Sequence, residues 1–191
     1  MKLSAILLST LALLSPAQCA WFWGACPQVE LQTPFDITQY VGKWYEYKRD
    51  AAIPYESGEC VMAKYTLKPD GKSITVRNTQ QNMDTDEVTG GEGRAWCKGD
   101  TAQCYVSFFY IDKGDYSVVS TDYTSYTVVK NCQSFFWIFR YENYWILSRT
   151  ETISEAAKTA AEGALATKSP HYDIAQYMRE TSQGADCNYL D

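Results

Sequence analysis

The chain has 191 residues, of which 46% are hydrophobic and 21% charged, values typical of a folded domain and not of a disordered chain. Its formal net charge of −6 argues against a nucleic-acid-binding protein, which needs clustered lysine and arginine. A single histidine, His171, argues against a histidine zinc site or a Ser-His-Asp triad. The 15 tyrosines favour β-structure.

Residues 1–20 are predicted to be a secretory signal peptide, which leaves residues 21–191 as a single mature domain. A positive start is followed by a short apolar stretch, and small residues offer cleavage after Cys19 or Ala20. The apolar stretch is shorter than the roughly 20 residues that a membrane-spanning helix needs. No later segment of the sequence is long and apolar enough to be transmembrane, so we expect a secreted, extracellular protein.

Eight short strands are predicted between residues 42 and 149, because segments rich in β-branched and aromatic residues alternate with turn signals. Near-regular spacing of short strands is typical of a sandwich or an up-and-down barrel. In the third strand, Ile74 and Val76 fall on one face and Thr75 on the other. The predicted strands are Gly42–Tyr47, Cys60–Leu67, Ser73–Thr79, Glu87–Trp96, Cys104–Ile111, Tyr116–Thr121, Ser125–Cys132 and Tyr144–Arg149.

One helix is predicted after the last strand, over Ser154–Leu165. This stretch is rich in alanine and other strong helix formers, and Ser154 is suited to be its N-cap. Apolar residues recur at helical spacing on one side, which we expect to pack against the outside of the barrel. Ser169-Pro170 ends the helix, and a last extended segment is expected near Gln176–Thr181.

Six cysteines follow the predicted signal peptide, an even number that indicates a set of disulfides in a secreted chain. The residues alone leave the pairing open. Cys97 and Cys104 flank a turn at Gly99-Asp100, where a bridge across a hairpin is the simplest interpretation. If all six are paired, no thiol is left as a nucleophile, which weakens a cysteine-dependent enzyme hypothesis. The six are Cys26, Cys60, Cys97, Cys104, Cys132 and Cys187.

Three motifs, in order along the chain, resemble the signature regions of the lipocalin family. They are Gly42-Lys43-Trp44-Tyr45, Thr121-Asp122-Tyr123 and the strand-ending Arg149. The chain is most similar to the branch of apolipoprotein D, the insect bilin-binding proteins and the crustacyanins. That branch shows Gly-Ala-Cys-Pro near its start, as in residues 24–27, and Ser-Thr-Asp-x-x-x-Tyr before a cysteine, as in residues 120–126. The resemblance covers the whole mature chain.

This resemblance implies an all-β fold, an eight-stranded antiparallel up-and-down barrel (a calyx) with one C-terminal α-helix packed outside. It also implies the disulfides Cys26–Cys132 and Cys60–Cys187, with Cys97–Cys104 as an extra hairpin bridge. Trp44 is expected to plug the closed end while the guanidinium of Arg149 stacks on its ring in a cation–π contact. The residues with expected structural roles are Gly42, Trp44, Thr121, Asp122 and Arg149.

An eight-stranded barrel can hold one small ligand, and strand alternation sorts the side chains that face it. Trp145 is the strongest candidate for ligand contact, because a large ring at mid-strand in a calyx borders the cavity. The alternative is that several of these rings simply fill the barrel. The candidate ligand-binding residues are Trp145, Tyr116, Val118, Phe108, Tyr110, Asn78, Gln80, Val129, Asn143, Lys48 and Glu46.

The segment Phe135–Phe139 carries five consecutive large apolar residues at the junction of the seventh and eighth predicted strands, which is the open mouth of a calyx. One interpretation is a strand whose alternate rings point inward. The other is contact with a lipid surface, a membrane or a partner, including self-association. The aromatic residues 21–23 are expected either to join the same patch or to be disordered.

We therefore expect a secreted carrier of a small hydrophobic ligand, with bilin, carotenoid, retinoid, sterol and fatty acid as candidates. No metal or cofactor is expected apart from a non-covalent bilin or carotenoid. Lys48 is the inward-facing cation that would meet the propionates of a bilin. The alternatives are a pigment-complex or other interaction subunit that uses the apolar mouth segment and, less favoured, a lipocalin-type enzyme.

Overall fold

The computed structural model describes residues 21–108 and 113–190, and these ranges contain ten strands and three helices. The strands are β1 (Trp21–Trp23), β2 (Gly42–Asp50), β3 (Glu59–Leu67), β4 (Ser73–Gln81), β5 (Val88–Cys97), β6 (Gln103–Ser107), β7 (Gly114–Thr121), β8 (Tyr126–Phe135), β9 (Phe139–Ser148) and β10 (Met178–Glu180). The helices are α1 (Ile37–Tyr40), α2 (Glu155–Lys168) and α3 (Ile174–Tyr177). The predicted signal peptide, residues 1–20, lies outside the described residues.

Strands β2 to β9 form a closed antiparallel barrel. Each pairs with the next strand along the chain, and an additional pairing between β9 and β2 closes the sheet. The short strand β1 extends the sheet beside β9, and β10 extends it beside β2. The eight-stranded up-and-down barrel predicted from the sequence is confirmed, with β1 as an unexpected addition at its rim.

Helix α2 lies outside the barrel, as predicted. It begins at its N-cap Ser154, whose hydroxyl accepts a hydrogen bond from the backbone N–H of Ala157. Ala161 and Leu165 are fully buried against the outward-facing face of β9, which includes Tyr144. No helix in the part of the chain that the structure describes is long and apolar enough to cross a membrane.

The closed end of the barrel, its floor, is plugged by Trp44. This side chain is fully buried, and its indole N–H donates to the carbonyl oxygen of Tyr40 at 2.9 Å. The guanidinium carbon of Arg149 lies 3.6 Å from the centroid of the Trp44 ring, in a cation–π contact. Arg149 also donates to the carbonyl oxygens of Lys43 and Tyr123 at 2.9 and 2.8 Å. One arginine thus ties β2 and the β7–β8 turn to the floor.

The backbone around this arginine depends on three further residues. Gly42 has φ +104, and a Cβ there would lie 3.1 Å from Nη1 of Arg149, so a larger residue would be both strained and crowded. The carboxylate of Asp122 accepts a hydrogen bond from the N–H of Tyr126 at 3.0 Å. The hydroxyl of Thr121 donates to the carbonyl oxygen of Tyr126 at 2.7 Å. These contacts hold the β7–β8 turn against the floor.

Three disulfides link the described cysteines, with the pairing that the resemblance implies. Cys26–Cys132 and Cys60–Cys187 join residues 106 and 127 positions apart, so they constrain the unfolded chain strongly. Cys97 and Cys104 are direct cross-strand partners on β5 and β6. The third disulfide is therefore local, and the first two connect distant parts of the chain.

Candidate functional site

The inner face of the barrel follows from the alternation of side chains along each strand. On β9, Trp145 and Leu147 belong to the same interior cluster as Trp44, whereas Tyr144 and Ile146 pack under helix α2. The interior cluster includes four of the predicted ligand-binding residues, namely Tyr116, Val118, Val129 and Trp145. The wall of the interior is therefore largely apolar and aromatic.

Tyr116 lies at the lower end of the interior, in a network of hydroxyl groups. Its Oη is 3.0 Å from Oη of Tyr40 and 2.9 Å from Oη of Tyr65. Tyr40 Oη is also 3.0 Å from Oγ1 of Thr127. Burial raises the pKa of Tyr40 to about 12, so this group stays neutral. These buried hydroxyl groups hydrogen-bond to one another, so the polar groups of the floor have partners without a ligand.

A bulge in β2 changes which residues face the interior. The register between β2 and β9 shifts between Glu46 and Lys48, and beyond the shift Arg49 pairs with the inward-facing Trp145. Lys48 lies outside the barrel, with Nζ 2.7 Å from Oε1 of Glu162 on α2. The prediction that Lys48 faces the cavity was wrong, because simple alternation does not anticipate an extra residue in a strand.

Arg49 takes the inward position and forms a buried ion pair with Glu46. Nη1 of Arg49 lies 2.5 Å from Oε1 of Glu46, and each side chain is 1% exposed. Nη1 also donates to Oγ1 of Thr181 at 3.0 Å, and Nη2 donates to the carbonyl oxygens of Glu56 and Gly58 at 2.7 and 2.9 Å. Both terminal nitrogens of the guanidinium therefore already have two acceptors each.

The loop between β2 and β3, residues 51–58, reaches over the open rim of the barrel. The carboxyl of Glu56 accepts a hydrogen bond from the indole N–H of Trp145 at 2.8 Å and also hydrogen-bonds with Glu46. The side chain of Gln80 accepts a hydrogen bond from the N–H of Gly58 at 2.9 Å. Two predicted cavity residues, Trp145 and Gln80, thus hold a loop that the sequence pattern did not single out.

The two carboxyl groups beside Trp145 do not ionise independently. Burial, together with the negative charge of Glu46, raises the pKa of Glu56 to about 8. Burial also raises the pKa of Glu46, against the lowering effect of Arg49. Because the guanidinium of Arg49 is bonded directly to the carboxylate of Glu46, we assign the negative charge near neutral pH to Glu46 and keep Glu56 protonated. The three side chains together are then electrically neutral.

Asn143 carries the clearest sign of an open binding position. It is fully buried, yet neither the nitrogen nor the oxygen of its amide has a hydrogen-bond partner among the described residues. Buried polar groups are nearly always paired, and an unpaired one costs about 1–3 kcal/mol. Asn143 shares the inner face of β9 with Trp145 and lies opposite Asn131 of β8. Oδ1 of Asn78 on β4 is likewise buried and without a partner.

Of the two aromatic residues predicted to contact ligand near the rim, Phe108 and Tyr110, the structure describes only Phe108. Phe108 follows β6 and is 37% exposed, and its ring covers Gly91 and Gly93 of β5, where a Cβ would lie 3.6 and 3.0 Å from the ring. The glycines therefore make room for this ring. Tyr110 lies outside the described residues, so its expected inward position is unchanged as a prediction.

The segment Phe135–Phe139, here called the aromatic tip, is exposed at the rim. Phe136 and Trp137 form the turn between β8 and β9, and they are 86% and 82% exposed. Both have positive φ, 51° and 56°, which bulky residues rarely adopt. Trp21 and Trp23 of β1 pack on the two flanking phenylalanines, with ring centroids 5.2 and 4.8 Å apart. The tip thus projects outward, and its rings do not point into the barrel.

Comparison with known proteins gives the same fold and a family. The sequence profile of the lipocalin-like domain matches residues 35–182. Apolipoprotein D from Cavia porcellus is 34% identical over 164 residues, 83% of this chain and 85% of that protein. Bilin-binding protein from Pieris brassicae is 31% identical over 148 residues, 74% of this chain and 76% of that protein. The crystal structure of lobster apocrustacyanin A1, 20% identical, superposes with a TM-score of 0.76 and covers 90% of this chain and 95% of that one. The chain belongs to the lipocalin family.

Proposed function

We propose that this protein is a secreted carrier that holds one small hydrophobic molecule inside its barrel. Lipocalins bind small hydrophobic ligands, and a relative of this chain is a bilin-binding protein. The observation that carries the proposal is the unpartnered, fully buried amide of Asn143 beside the ring of Trp145. An apolar wall with a few open polar groups is the usual composition of a ligand pocket. Bilin, carotenoid, retinoid, sterol and fatty acid are the candidate classes.

Secretion and the absence of catalysis are parts of the same proposal. Disulfides persist in oxidising compartments, and the six cysteines of the described ranges are all paired. A free thiol nucleophile is therefore missing from that part of the chain. Nε2 of His171 lies 3.1 Å from Oε1 of Glu142. Glu142 faces outward, because its strand neighbour Asn143 faces the interior, so His171 lies on the outside of the barrel. These features support a binding function and not catalysis.

The direct test is to extract the natively purified protein with organic solvent and identify the extract by mass spectrometry. We expect one hydrophobic compound in an amount close to that of the protein, with a visible absorption band if it is a pigment. An empty extract, together with no binding of any of the five candidate classes by the refolded protein, would overturn the proposal.

The position of the ligand is tested by Trp145→Ala. Removal of this ring is expected to weaken ligand binding about tenfold or more, equal to ~1.4 kcal/mol, with the far-ultraviolet circular dichroism unchanged. Trp137→Ala is the matched control, because it removes a tryptophan that is 82% exposed at the rim. Equal effects of the two substitutions on affinity would contradict the proposed position.

We also propose that the aromatic tip contacts a lipid surface. Tryptophan and phenylalanine on a projecting turn suit insertion into the interface of a bilayer, and a convex tip offers little flat area to a second copy of the chain. Two bulky residues adopt positive φ there, a strain that is typical of functional segments. The formal charge of −6 disfavours anionic lipid, so the proposal specifies a zwitterionic surface.

Flotation with phosphatidylcholine vesicles tests the lipid contact. The wild type is expected to float with the vesicles, and the double variant Phe136→Ser/Trp137→Ser to stay in solution with unchanged thermal stability. Sedimentation velocity tests whether the tip instead contacts a second copy of the chain. If the wild type does not float but forms a dimer, and the double variant is a monomer, the tip serves self-association and the lipid proposal is overturned.

A further inference from the structure

We infer that the upper interior of the barrel, around Asn143 and Trp145, selects an uncharged ligand with a hydroxyl or carbonyl group, held by the amide of Asn143, and excludes carboxylates. This inference rests on the proposed carrier function and narrows its ligand class. Among the candidates it favours sterols, carotenoids and the alcohol form of a retinoid. It disfavours ionised fatty acids and bilins, which carry carboxylates.

The first step concerns the positive charge that a carboxylate would need. A buried carboxylate is strongly unfavourable without a cation or several hydrogen-bond donors. The cation beside Trp145 is Arg49, whose terminal nitrogens already donate to Glu46, Thr181 and two loop carbonyl oxygens. Lys48 points away to the outer helix. An incoming carboxylate would therefore have to displace Glu46 from Arg49.

The second step concerns the negative charge already present. Glu46 and Glu56 are in contact with each other next to Trp145, and Glu46 is 1% exposed. A further carboxylate in this low-dielectric region would be repelled by the negative charge of Glu46, because like charges at close range are weakly screened inside a protein. The charges of Glu46 and Arg49 cancel, so an uncharged molecule can bind beside them without changing the net charge of this region.

The third step concerns the group that remains open. The amide of Asn143 offers one acceptor oxygen and a donor NH₂, and both are unpaired and fully buried. A ligand hydroxyl can donate to the oxygen and accept from the nitrogen, and a ligand carbonyl can accept from the nitrogen. A carboxylate can use only the donor and would face the amide oxygen with negative charge. The open polar position thus fits a neutral group best.

Matched pairs of probes that differ in one charged group test this selectivity. We would titrate the refolded protein with retinol and retinoic acid, and with 11-(dansylamino)undecanoic acid and its methyl ester, by fluorescence near neutral pH. In each pair the neutral probe is expected to bind at least about tenfold more tightly than the acid. Equal or tighter binding of the acids would overturn the inference and leave the carrier proposal standing. Binding of neither pair would overturn the inference, whereas the carrier proposal is decided separately by the solvent extract and by binding tests with all five ligand classes.

Variants of the binding residues distinguish this selectivity from the general desolvation cost of a carboxylate, which lowers its affinity for any apolar site. Asn143→Leu is expected to weaken retinol binding about tenfold and retinoic acid binding much less. Glu46→Gln/Glu56→Gln frees Arg49 and is expected to strengthen retinoic acid binding about tenfold. Glu46→Gln alone removes the charge opposite Arg49, keeps Glu56 as the acceptor for Trp145 and is the fallback if the double variant does not fold, with a smaller gain for the acid. Affinity ratios that stay at the wild-type value in all variants would overturn the assignment.

Discussion

The floor of the barrel and its upper interior are built from similar residues but differ in how their polar groups are satisfied. At the floor, Tyr40, Tyr65, Tyr116 and Thr127 bond one another, and Arg149 caps the Trp44 ring. Higher up, the amide of Asn143 is buried without a partner. This difference supports the proposal that the floor serves stability and the upper interior binds a ligand. The predictions below test that division.

The largest effect is expected at the floor, for Trp44→Ala. Removing this fully buried ring leaves a cavity and should lower the free energy of unfolding by about 3–5 kcal/mol, measured by urea denaturation. Trp137→Ala, at the exposed tip, should change it by less than about 0.5 kcal/mol. Comparable losses in the two variants would mean that Trp44 is not the plug of the barrel.

Arg149→Leu should have the next largest effect, a loss of about 2–3 kcal/mol. It removes the cation–π contact and leaves the carbonyl oxygens of Lys43 and Tyr123 without their donor. Arg149→Lys keeps the charge without the planar donors, so an intermediate loss is expected. If lysine restored full stability, the charge alone would explain the contact and the geometry would be irrelevant.

A pair of substitutions with opposite expected signs compares the two regions directly. Tyr116→Phe removes a hydroxyl bonded to Tyr40 and Tyr65 and should destabilise the ligand-free protein by about 1 kcal/mol. Asn143→Leu removes an unsatisfied amide and should be neutral or stabilising by up to about 1 kcal/mol. Destabilisation by Asn143→Leu of the ligand-free protein would indicate that the amide is already paired.

The last prediction concerns pH. The pKa of Glu56 is about 8 in the folded protein, above its ordinary value, so between these pH values the folded state holds a proton that the unfolded state releases. This contribution is complete at low pH and is lost as pH rises through about 8. We expect the melting temperature to fall by several degrees between pH 6 and pH 9, and Glu56→Gln to reduce that fall. An identical slope in the variant would contradict the raised pKa.

Most of the barrel could be predicted because alternation and turn residues are local signals. The main difference in the wall is β9, which begins at Phe139, whereas the apolar pattern placed its start at Tyr144. The reason is Glu142, an outward-facing residue that is fully buried because Arg140 and His171 bond its carboxylate. Such burial by ion pairing has no signature in the hydrophobic pattern.

The site was predictable only where it follows alternation. Trp145 and Asn143 lie two positions apart on one strand, and both face inward as expected. Arg49 could not be found in this way, because the β2 bulge exchanges its orientation with that of Lys48. Glu56 is a loop residue that enters the site through the tertiary fold, where periodicity carries no information.

The two faces of β9 allow the ligand and the scaffold to change independently. Residues 143 and 145 face the barrel interior, and their immediate neighbours Tyr144 and Ile146 pack under α2. A substitution at an inner position leaves the helix contacts in place. If the protein is the carrier proposed above, a new ligand preference can therefore arise one side chain at a time without a new fold, and the inner positions of β9 are the ones to randomise in a redesign.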